Sequence, residues 1–99
     1  MRPTRIRDYK MRELIQSIIQ NEIPKGCVFD AHSIIEYLIQ NQSDVYLSSY
    51  QNGQNTAHYH SEISKTITEF ESSIIKRVGK SWSMNIHGKF SENVCWIKL

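Results

Sequence analysis

Four histidines, His32, His58, His60 and His87, are the side chains in this 99-residue sequence best suited to hold a metal or move a proton near neutral pH. His58 and His60 stand two apart. That spacing puts both on one face of a strand, but on a helix it splays them by about 200°. Their surroundings read as helix, and no cysteine lies close enough to complete a zinc pattern. His58 is therefore expected at the surface or in a cap and His60 at the edge of a buried stripe, with no metal and no cofactor. Ser83, His87 and Glu92 have the residue types of a hydrolytic triad, yet neither a nucleophile turn nor a glycine-rich phosphate loop frames them. Asp30 and Glu36 make no better acid–base pair, because Asp30 reads as a helix cap and Glu36 as a residue of a helix exterior. Cys27 and Cys95 each have apolar neighbours and read as buried, inert thiols. No catalytic residue is assigned, and an enzyme is not expected.

The cations offer different chemistry. Residues 1–12 hold Arg2, Arg5, Arg7, Lys10 and Arg12 against Asp8, and residues 72–99 hold Lys76, Arg77, Lys80, Lys89 and Lys98 against Glu92. The middle carries Lys25 and Lys65 against eight acids. Basic ends around an acidic centre fit a module that meets a polyanion with its edges, although the net charge is only +2. Hydrophobic residues make up 39% and charged residues 22%, which is ordinary for a folded domain and excludes a disordered chain. Apolar runs are too short for a membrane span, and no apolar segment follows the basic start as a secretory signal requires. A single domain over residues 1–99 is expected in the cytoplasm, with residues 1–7 as a basic arm.

Three amphipathic segments must position these groups. Met11, Leu14, Ile15, Ile18 and Ile19 form one stripe of a helix to Glu22, starting at an Asp8 cap or, if longer, at Thr4. Ile23-Pro24-Lys25-Gly26 stops it. Cys27-Val28-Phe29 reads as a short strand, and Asp30 caps a second helix striped by Ala31, Ile34, Ile35, Leu38 and Ile39 and ending near Asn41. Residues 42–55, with Val45, Tyr46, Leu47 and Tyr50, are a short helix or an ordered loop closed by a turn at residues 51–55. Asn55 or Thr56 caps a third helix to about Phe70, burying Tyr59, Ile63, Ile67 and Phe70 and turning His58, Ser61, Lys65 and Thr68 outward. Beyond Ser73 the period falls to two. Trp82, Met84 and Ile86 alternate with polar residues, His87–Asn93 reads as a polar loop, and Val94–Leu99 as the return strand. A cross-strand contact of Trp82 with Trp96, together with Ile86, is expected to close the core; an exposed tryptophan on the wing sheet would instead mark a protein interface.

This order, and most densely Ile63-Ser-Lys-Thr-Ile-Thr-Glu-Phe-Glu-Ser-Ser-Ile-Ile-Lys-Arg-Val-Gly79, resembles the winged helix-turn-helix family of DNA-binding domains. In that family a recognition helix commonly leads into a strand with basic residues and a glycine. The resemblance implies an α+β fold of three main helices, with a small antiparallel sheet made from a short strand and a C-terminal β-hairpin. It further implies a regulatory or accessory protein, of a size and composition like phage or mobile-element regulators, that binds duplex DNA. His58, Ser61 and Lys65 of the third helix and Arg77, Lys80 and Lys89 around the wing are the implied contacts, and a homodimer would match a palindromic site. Two features depart from the family: the long stretch 42–55, where a three- or four-residue turn is usual, and Glu62, Glu69 and Glu71 set against a single Lys65. They point to the alternative, a protein–protein adaptor on the same scaffold. It would use the acidic centre, the tyrosines of the middle segment or the first helix as a homodimer surface.

Overall fold

The computed structural model describes residues 3–49 and 55–99, and the side chains of residues 10–49 and 55–99. Arg2, Tyr50 and the turn at 51–54 lie outside the described residues, as do the side chains of Arg5 and Arg7. The elements are α1 (Pro3–Glu22), β1 (Val28–Asp30), α2 (Ala31–Asn41), α3 (Ser43–Ser48), α4 (Thr56–Thr68), β2 (Ile75–Met84) and β3 (Phe90–Lys98). Among the described residues, four helices thus accompany one antiparallel sheet of order β1-β3-β2.

Helix α1 starts at Pro3, so Asp8 is an internal residue rather than a cap and residues 3–7 are helical. Proline suits a first turn because its missing N–H would have no partner there. Met11, Ile15, Ile18 and Ile19 are buried against Ile34, Ile35 and Leu38 of α2 and Ile63 and Ile67 of α4 in one core. Each such side chain contributes about 1.5–3 kcal/mol by leaving water. At its far end α1 is closed by a cation from another element. Lys98 Nζ donates to the carbonyls of Ile19 (2.9 Å), Gln20 (3.1 Å) and Ile23 (3.1 Å), groups that a helix end leaves without partners.

Asp30 caps α2 as expected, accepting from the Ser33 amide at 3.1 Å, and Asn55 caps α4, accepting from the His58 amide at 2.7 Å. Helix α4 ends at Thr68, two residues before Phe70, which is nevertheless buried. Residues 43–48 take the helical alternative, and Tyr46 turns inward against Tyr59. That removes Tyr46 from any tyrosine-rich docking surface.

Four expectations about the sheet are corrected. The first strand begins at Val28, and Cys27 is exposed because it precedes the paired register. Strand β3 begins at Phe90, so the loop between the long strands is only residues 85–89. Trp96 pairs with Arg77, and Trp82 pairs with Glu92, so the two indoles do not face one another. Trp96 is 1% exposed, packed 5.8 Å from the Phe29 ring, whereas Trp82 is 66% exposed and Ile86 is exposed too. The core ends before the hairpin does.

Candidate nucleic-acid interface

His58, Ser61 and Lys65 recur at three and four residues along α4, and all three are exposed on the side opposite buried Tyr59, Ile63 and Ile67. Lys65 makes only a loose i,i+3 pair with Glu62 at 3.9 Å. His60, at the edge of the stripe, is half-buried, with Nε2 2.7 Å from the Tyr46 hydroxyl. Burial lowers its pKa, and the charges of His87 and His32 lower it further. The hairpin turn and the start of α2 therefore lie within electrostatic reach of α4. Among the described residues no group of three metal-ligating side chains comes together.

The sequence-derived contacts of the hairpin divide. Lys80 is exposed on β2, and Lys89 is exposed in the turn. Neither enters an ion pair among the described residues, and the same holds for Lys76. Arg77 is also exposed but is paired: its Nε donates to Glu71 Oε2 at 2.9 Å, on the oxygen that also accepts from Trp96 Nε1 at 2.7 Å. The indole hydrogen bond holds the Glu71 carboxyl below the usual carboxylate range, and Arg77 adds to this while burial opposes it. Arg12 is likewise braced, against Glu69 at 2.7 Å and over the Phe70 ring at 4.7 Å.

Asn85 organises the turn. Its Oδ1 accepts from the amides of His87 (2.9 Å) and Lys89 (3.1 Å), its amide donates to the Lys89 carbonyl (2.8 Å), and Gly88 takes φ +79°. A residue with a Cβ is strained there.

Beside the turn end of the hairpin is a polar cluster that the sequence did not reveal. Ser83 Oγ donates to Asp30 Oδ2 at 2.6 Å and lies 2.6 Å from His32 Nδ1. The hydroxyl has one proton, and the carboxylate takes it, so Nδ1 carries the other and donates to Oγ. Asn93 Nδ2 donates to the Ser91 carbonyl at 3.0 Å beside them. Serine stands between the carboxylate and the imidazole. In a hydrolytic triad the imidazole stands in the middle and takes the serine proton. His87 and Glu92, expected as candidate partners of Ser83, are in the turn and opposite Trp82. The cluster ties β2 to the start of α2 and so aims the hairpin. It borders an open groove of about 440 Å³ lined by Asp30, His32, Ser33, Glu36, Ser81 and Cys95. Asp30 and Glu36 thus share this groove, with Asp30 already engaged through both oxygens. Cys95 is buried, its sulfur 2.8 Å from Ser81 Oγ.

Compared with known proteins, the chain matches no family model, no curated protein and no solved structure. No helix among the described residues is long and apolar enough to cross a membrane.

Proposed function

We propose that the chain is a winged helix-turn-helix module that binds duplex DNA as a regulatory or accessory protein, with α4 as recognition helix and residues 85–89 as the tip of the wing. One observation carries the reading: α4 offers His58, Ser61 and Lys65 on one exposed face, and the hairpin that follows offers Lys80 and Lys89 without acidic partners among the described residues. A major groove about 12 Å wide admits a helix, whose outward side chains then meet base edges. Lysines on the hairpin meet phosphates, which supplies affinity and its salt dependence rather than sequence choice. Arg77 is braced by Glu71 through Nε, and its exposed side chain remains among the proposed phosphate contacts.

The second reading, a protein–protein adaptor on the same scaffold, draws on the exposure of Trp82, since exposed aromatics are enriched at protein interfaces. The unpaired lysines around it favour a polyanion. Titration of the full chain against a fluorescent mixed-sequence duplex at about 50 and 200 mM salt separates the two. Binding that weakens steeply with salt is expected, and Lys65→Glu with Lys89→Glu should lower affinity at least tenfold and reduce the salt slope by about two counterions. Absence of binding at tens of micromolar protein and low salt would overturn the DNA reading in favour of the adaptor.

A further inference from the structure

We propose that the hairpin face carrying Lys80, Trp82, Met84 and Phe90 is a stacking platform for unpaired bases, so that the DNA recognised by this chain presents a single-stranded or frayed stretch beside the duplex. The inference rests on the preceding reading in taking DNA as the partner, and it specifies the form of that DNA.

Register places these side chains together. Lys80 pairs with Val94, Trp82 with Glu92 and Met84 with Phe90, so all of them share the face on which Trp96 is buried. Near Trp96 that face is covered; further out none of the described residues covers it, and Trp82, Met84 and Phe90 are 66%, 54% and 62% exposed. The opposite face is already engaged through Ser83, His32 and Asp30. An indole, a phenyl ring and a thioether held in water on a rigid strand pair are uncompensated unless a partner covers them.

Charge selects the partner. Lys80 stands on the same face and Lys89 in the adjoining turn, both without acidic partners among the described residues, whereas Lys76, paired with Ile97, faces the other side. Glu92, opposite Trp82, is the hairpin's acid, so a strand's phosphates run along the lysine side and its uncharged bases lie over the rings. Positive charge beside accessible aromatics is the recurring arrangement of single-strand binding surfaces. Paired bases have their flat faces covered by neighbours; only unpaired ones can offer them to Trp82. Residues two apart on a strand are about 6.6–6.8 Å apart, about twice the 3.4 Å rise per nucleotide. Trp82 and the Met84–Phe90 pair are therefore spaced for bases two nucleotides apart.

The test uses the full chain with a blunt duplex and with the same duplex carrying a single-stranded tail. Trp96 is buried, so a change in tryptophan emission on binding reports on Trp82. The tailed DNA is expected to bind at least about tenfold tighter and to quench Trp82 emission, which the blunt duplex leaves unchanged. Trp82→Ala and Phe90→Ala should each lower affinity for the tailed DNA about five- to 150-fold and leave blunt-duplex affinity and the melting temperature unchanged. Equal affinity for both DNAs with unquenched emission overturns the platform and leaves the duplex-binding reading standing, as does wild-type affinity of Trp82→Ala for the tail. Binding to neither DNA overturns both readings. Loss of self-association in Trp82→Ala, with no effect on DNA binding, overturns the platform in favour of a protein interface.

Discussion

Asp30 serves three groups with two oxygens. It caps α2 through the Ser33 amide, accepts the Ser33 hydroxyl at 3.3 Å, and takes the Ser83 proton, all at a site 7% exposed. Asp30→Ala therefore removes a cap and also strands the Ser83 hydroxyl. About 2–3 kcal/mol of stability should be lost in chemical denaturation. Asp30→Asn keeps an acceptor for the cap and should lose less. Only half of this was legible in the sequence. The cap is a local pattern, an aspartate before an apolar stripe. The bond to Ser83 spans 53 residues and exists because β3, lying between β1 and β2, holds both at one particular register. His60 shows the same division: its edge position follows from the helical period, while its Tyr46 partner depends on how α3 packs on α4.

At the scale of the element, β2 carries a bulge. Arg77 pairs with Trp96 and Gly79 with Cys95, which leaves Val78 without an opposite residue. Ile75 and Arg77 thus share a face with Lys80, Trp82 and Met84, whereas an unbroken alternation would have put Ser81 and Ser83 there. Period-two reading of Trp82 and Met84 found the correct face and the wrong burial. Alternation reports which side chains travel together, but what covers them is decided by where the helices stop. Deleting Val78 should heal the ladder without changing any pair, leaving the melting temperature nearly unchanged. Deleting Ser81 should instead reverse the distal half, detach Ser83 from Asp30 and abolish the hairpin's order, read as lost sheet signal in circular dichroism.

Across the whole molecule, two perturbed groups give stability a two-stage dependence on pH. His60 has a folded-state pKa below its unfolded value, so the unfolded chain binds the proton more readily. Its contribution is complete above about pH 6.5 and is lost as pH falls through the lowered folded value. Glu71 is also lowered, by Trp96 first, and its contribution is present above the ordinary carboxylate range and lost further down. Thermal melts across this range should show two declines. His60→Gln should flatten the upper one and Glu71→Gln the lower. The uneven charge of the chain was plain in the sequence. Which cations were spoken for, Arg12 by Glu69 and Arg77 by Glu71, was not, since both pairings follow from the packing of the α4–β2 connection.

The strand at the centre of the sheet is made after both of its neighbours. During synthesis β1 leaves the ribosome with nothing to pair to, and β2 follows it in the same condition. Phe90–Lys98 then supplies, in a single stretch, the missing ladder, the indole that packs on Phe29 and the ammonium that closes α1. The nascent chain is thus a cluster of helices waiting for its keystone, and a ribosome that pauses before Phe90 leaves two unpaired strand edges open to chaperones and to one another.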